Sequence, residues 1–108
     1  MKSPTFDRDG YPTDETLDAL RQWDLADANA ALDFIAAAWN TQDGDCRHAL
    51  YDAEEHVIHA EHGERFLRLV IGEWSGNEAL VYAFRESLVW DLTWRLSTAG
   101  GLHIFRYV

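Results

Sequence analysis

The chain has 108 residues, 47% hydrophobic and 13% aromatic, with 9 Lys+Arg against 19 Asp+Glu for a formal charge of −10. That length predicts one domain with its own core and little room for a deep cofactor site, and the acidity argues against a duplex nucleic-acid or anionic-membrane binder, since both need a basic face. A single cysteine, Cys46, excludes an internal disulfide and a multi-cysteine zinc site; with no apolar export segment after Met1, the expectation is a cytoplasmic protein that does not enter membranes.

Residues 1–10 are polar and are expected to form a loose arm ahead of one domain over 11–108. Thr13 is a helix cap followed by Asp14 and Glu15 at the positive end of the dipole, and Leu17, Leu20 and Trp23 share one side of that helix. Asp24 or Asp27 caps a second helix, in which Ala28, Ala31, Leu32, Ile35 and Trp39 follow the i, i+3, i+4, i+7 rule. After the break at residues 40–44, Asp43 or Asp45 is expected to cap a third helix through Ala49, Leu50, Ala53 and Val57. Alternation then sets in: Leu67, Leu69 and Ile71 oppose Phe66, Arg68 and Val70 in a strand ending near Gly72. Ala79, Leu80, Ala83, Phe84 and Leu88 form a largely buried helix, residues 88–97 keep a period of two and predict a long strand, and Gly100-Gly101 turns the chain into a last strand over 102–108. The fold class is α+β, with N-terminal helices packed on a small antiparallel sheet in the order α-α-α-β-α-β-β.

Charge follows the same division. Residues 1–64 hold 15 acids and 4 bases, whereas 65–108 hold 4 acids and 5 bases, so the whole surplus of negative charge falls on the helical part. Trp39, Trp90 and Trp94 lie on apolar faces and read as core; Trp23 and Trp74 stand at element ends and are candidate interface anchors. In Trp74-Ser75-Gly76-Asn77-Glu78 the spacing of Ser75 and Glu78 is that of a capping box, with Trp74 stapling onto Ala79; the alternative is an anion-holding turn with Glu78 as a base. His48, His56, His59 and His62 among carboxylates are a weak candidate for a metal site and carry the alternative of a small metal-binding protein or enzyme. Asp7-Arg8-Asp9-Gly10 and Asp43-Gly44-Asp45 lack the calcium-loop pattern and read as turns, and Cys46 beside Arg47 and His48 reads as inert packing on the third helix. No serine elbow or phosphate-cradling loop occurs, and no catalytic residue, metal or cofactor is assigned.

Gly10-Tyr11-Pro12-Thr13, the acidic helix ending near Trp23-Asp24, the turn at Trp74 to Glu78, then Trp90, Trp94, Gly100-Gly101 and Phe105 together resemble a group of small bacterial and phage proteins of uncharacterised activity. That resemblance implies an α+β fold ending in a hairpin and no mechanism; the group has His directly after the two glycines, where this chain has Leu102 before His103. The leading expectation is therefore an acidic interaction module, of inhibitor or immunity type, for a basic protein partner, without direct nucleic-acid or membrane binding. Its contact residues are expected among Asp14, Glu15, Asp18, Trp23, Asp27, Trp74 and Glu78. A further alternative is a phage structural or accessory component that pairs through the last strand if that strand lies at a sheet edge.

Overall fold

In the computed structural model, which describes residues 2–42, 44–50 and 64–108 with the side chains of 48–50 excepted, helices pack on an antiparallel sheet. The elements are α1 (Asp14–Arg21), a 3₁₀ turn (Leu25–Asp27), α2 (Ala28–Ala38), β1 (Asp45–Leu50), β2 (Arg65–Val70), α3 (Ser75–Arg85), α4 (Leu88–Thr93), β3 (Trp94–Ser97) and β4 (Leu102–Arg106). The strand order is β1-β2-β4-β3. The α+β class therefore holds. Among the described residues no helix is long and apolar enough to cross a membrane.

Thr13 caps α1 as its chemistry dictates, its hydroxyl accepting from the Thr16 amide at 3.3 Å. The segment ahead of α1, expected as a loose arm, is hydrogen-bonded from Thr5 onward. The Thr5 amide donates to Thr16 Oγ1 at 2.7 Å, the Thr13 amide donates to the Thr5 carbonyl, and Phe6 bridges to Pro12. Asp24 caps the 3₁₀ turn through the Ala26 amide at 3.0 Å, so α2 starts without a side-chain cap on Asp27. Along α2 the buried face is Ala28, Ala31, Leu32, Phe34, Ile35 and Ala38, which packs against Leu67, Leu69 and Phe105 of the sheet. Phe66 and Ile104, one residue out of phase with that set, are buried on the other side of the sheet.

Two segments depart from the sequence expectation. Residues 45–50 form β1, paired antiparallel with β2 from Asp45↔Val70 to Leu50↔Arg65, and not the start of a third helix; Ala53 and Val57 lie outside the described residues. Pairing decides this segment. Gly44 brings the chain so close to β2 that a Cβ there would stand 2.3 Å from the Val70 carbonyl oxygen. Arg47 and Arg68 face each other across the pair, and the Asp45 carboxylate bridges both, at 2.8 and 3.5 Å.

The long strand expected over 88–97 is instead helix α4 followed by the short strand β3. Ser87 caps α4 by accepting from the Trp90 amide at 3.3 Å, and Thr93 returns its hydroxyl to the Val89 carbonyl at 2.7 Å. Val89, Trp90 and Thr93 are thereby buried on one helical side while Leu88, at 66% exposure, faces water. Trp90 packs edge-on against Phe84 and Phe105, but Trp94, read as core, is 40% exposed. Gly101, at φ +89°, closes the β3–β4 hairpin, and β4 lies inside the sheet between β2 and β3. The last strand is consequently not an edge available for pairing with another copy.

A buried amide ties the helical layer to the sheet. Asn77, 0% exposed, accepts from the Asn40 amide at 3.0 Å and donates to the carbonyls of Asn40 at 3.0 Å and Ile71 at 3.2 Å. Asn77→Ala would leave three backbone groups without these partners, and we expect it to cost about 3 kcal/mol. The midpoint of urea unfolding reads this loss; a midpoint within error of wild type would show that water replaces the amide at no cost.

Candidate partner-binding surface

Between Asp9 and Cys46 the chain has a single basic residue, Arg21. Its guanidinium is already engaged, at 2.7 Å from Asp18 and 2.8 Å from Glu86, and both carboxylates hold it protonated more firmly than usual. Asp14, Glu15, Asp18, Asp24, Asp27 and Asp33 are all exposed on the α1–α2 layer. Helical periodicity explains this: the apolar side chains take the inward positions and leave the carboxylates outside.

Trp23 is only 7% exposed and does not protrude as an anchor. Its indole N–H donates to the Asp27 carbonyl at 2.8 Å, its ring packs on Phe34 at 5.0 Å between centroids, and the Lys2 ammonium stands 4.5 Å over it. Beside it opens a cleft of about 550 Å³ lined by Lys2, Pro4, Trp23, Asp27, Asp33 and Phe34. A second hollow of about 220 Å³, reached by Glu15, lies on the other side of Lys2 and Ser3. The structure thus brings Trp23 and Asp27 into one cleft with Glu15 nearby, while Asp14 and Asp18 stand along α1.

Trp74 and Glu78 belong to a different arrangement. The Trp74 ring lies 5.2 Å from Tyr11 and folds over Gly76, where a Cβ would stand 2.2 Å from it. The capping box does not form: the N-cap is Trp74, whose carbonyl accepts from the Asn77 amide, and its side chain makes no capping bond. Ser75 is already inside the first turn, with its hydroxyl 3.3 Å from the Tyr11 hydroxyl, and Glu78 is exposed. The informative residue of this segment is Asn77, which sequence reasoning passed over because an asparagine in a first turn ordinarily faces water.

Of the histidine cluster, His56, His59 and His62 lie outside the described residues, and only the backbone of His48 is described, on β1. Cys46 sits on β1 rather than a helix, and burial together with the neighbouring Asp45 carboxylate pushes its thiol up, away from reactivity.

A polar chain on the hairpin was not foreseen. The Trp94 indole N–H donates to Ser97 Oγ at 2.7 Å, and Ser97 Oγ in turn shares a hydrogen bond with His103 Nδ1, also at 2.7 Å. Ser97 and His103 are direct cross-strand partners. His103 is buried against the edge of Trp90, and burial, aided by the Arg85 charge, lowers its pKa below the usual range. A serine hydroxyl beside an imidazole nitrogen has the residue types of a nucleophile–base pair, but within this hairpin the bond joins cross-strand partners and fixes strand register.

No family model, curated protein or solved structure matches this chain.

The lowered His103 pKa has a stability consequence of definite sign. The unfolded chain, with a histidine pKa of about 6.5, takes up this proton before the folded one does. The stabilisation is thus present above that value and is lost as pH falls toward the folded pKa. Urea midpoints measured from pH 7.5 to 5 should fall more steeply for wild type than for His103→Gln. Parallel profiles would exclude His103 as a source of acid sensitivity.

Proposed function

We propose that this protein is an interaction module whose acidic helical face docks a basic partner protein, in the manner of an inhibitor or immunity protein that covers a cationic groove. The observation that carries this reading is the run from Asp9 to Cys46, where the one basic side chain is already paired while six carboxylates of the α1–α2 layer stay exposed. Such a field steers an oppositely charged surface over a Debye length of about 8 Å at physiological salt. Affinity then requires apolar contact, and the same layer supplies it: Asp27 lies between the Trp23 cleft and a hollow of about 360 Å³ lined by the exposed Leu25, Leu92 and Val108. Carboxylates around apolar hollows match the usual division of an interface into a polar rim and an apolar centre.

The test compares wild type with a variant carrying Asp14→Asn, Glu15→Gln, Asp18→Asn and Asp27→Asn, both checked for folding by circular dichroism. Wild type should retain one basic protein in stoichiometric amount from a lysate at low salt and release part of it at high salt, with at least a tenfold weaker association for the variant. Retention unchanged by the substitutions, or no partner at either salt concentration, would overturn the reading.

A further inference from the structure

We propose that the cleft between α2 and residues 2–4 is a receptor for a lysine side chain of the partner protein, and that the chain's own Lys2 occupies this position in the free state. The inference rests on the acidic-face reading and gives it a specific point of contact.

The floor of the cleft is built for a cation. The Trp23 ring is held from two sides, by its N–H on the Asp27 carbonyl and by Phe34 beneath it, so its π-face is presented without reorganisation. Lys2 already uses that face, at 4.5 Å. Asp27 and Asp33 line the same cleft. Asp27 engages no side-chain capping bond, and Asp33 is oriented by the Tyr107 hydroxyl, which donates to it at 2.8 Å. Asp27, Ala30, Phe34 and Ala37 recur at helical spacing along the cleft, so its wall is a row of apolar side chains with an acidic residue at one end, the pairing that a lysine stem and ammonium call for.

The present occupant is weakly held. The first hydrogen bonds that tie the N-terminal segment down are those of Thr5, and among the described residues none holds Lys2, Ser3 or Pro4. Hollows lie on both sides of Lys2 and Ser3, and with Lys2 in place the larger still offers about 550 Å³, within the usual range of ligand sites. A lysine from a partner would exchange one ammonium for another over Trp23 and add its flanking residues to space that Lys2 leaves empty. The small size of Ala30 and Ala37 makes that space available.

The experiment uses the full chain without an N-terminal tag, labelled with ¹⁵N and titrated with the peptide acetyl-Ala-Leu-Lys-Leu-Ala-amide. A second peptide with Gln in place of Lys serves as the neutral control. The indole N–H of Trp23, assigned through Trp23→Phe, is the reporter. We expect the lysine peptide to shift this resonance and the glutamine peptide to leave it. Lys2→Ala should bind about fivefold more tightly, because an internal competitor is removed, and Asp27→Asn with Asp33→Asn at least fivefold more weakly. Shifts confined to α1 with a silent Trp23 indole would overturn the cleft and leave the acidic-face reading standing. Affinity unchanged or reduced in Lys2→Ala would overturn the role of Lys2. No binding of the lysine peptide to any variant would overturn the lysine receptor, while retention of a basic protein in the capture experiment would still support the acidic face.

Discussion

The relation between the two layers depends on the side chain of Asn77. A primary amide has one acceptor oxygen and two donor hydrogens, and here it serves the chain leaving α2 at Asn40 and the chain leaving β2 at Ile71 from the first turn of α3. The Asn77 side chain is itself fully buried, so its own amide could not be left unpaired without penalty. The same corner contains the Trp39 indole, which donates to the Val70 carbonyl at 3.1 Å, and Gly44, whose backbone lies against that same carbonyl. Helix end, strand end and the entry to β1 are thereby fixed together, and the distance of α2 from the sheet follows.

Segments whose burial pattern has one solution were legible in the sequence. In α2 the apolar residues fit a helical period and no other, and in β2 the alternation of Phe66 to Ile71 stands without a competing helical face. Residues 88–93 fit both. Leu88, Trp90 and Leu92 alternate as in a strand, yet Val89, Trp90 and Thr93 also share one side of a helix, and the Ser87 cap decides between them. Residues 45–50 fail for a different reason: their strand conformation is imposed by pairing with β2, a long-range contact that a local period does not encode.

The surface was legible to a different degree. Exposure of Asp14, Glu15 and Asp18 follows from the helical period alone, and so was available without a structure. Trp23, a candidate anchor at the end of α1, is buried as the apolar edge of that helix, packed on Phe34 with the Lys2 ammonium over its ring. The Ser97–His103 bond required the hairpin register, which the two glycines left open. In the structure the Thr98 amide donates to the Leu102 carbonyl and the Gly101 amide to the Thr98 carbonyl, and that closure places Ser97 opposite His103. A shift by one residue would have turned His103 to the other face.

Eight of the fifteen acids of residues 1–64 precede residue 43, and six of these stand exposed on the layer of α1 and α2. On the sheet side three arginines meet carboxylates, Arg106 at 2.7 Å from Glu64 and Arg47 and Arg68 sharing Asp45, while Arg65 lies over the Tyr107 ring. Charges compensated at such distances contribute little field beyond the surface. On the helical side Asp18 shares Arg21 with Glu86, while Asp14, Glu15, Asp24, Asp27 and Asp33 have no ion pair among the described residues, so the negative field of the described surface is concentrated on the helical layer. A basic partner is accordingly turned toward α1 and α2 before contact, and only at short range does the Trp23 cleft distinguish a side chain that carries an apolar stem from a bare positive charge. Orientation thus comes from many weak, screened carboxylates, whereas discrimination comes from one ring that Lys2 keeps covered until an equivalent cation takes its place.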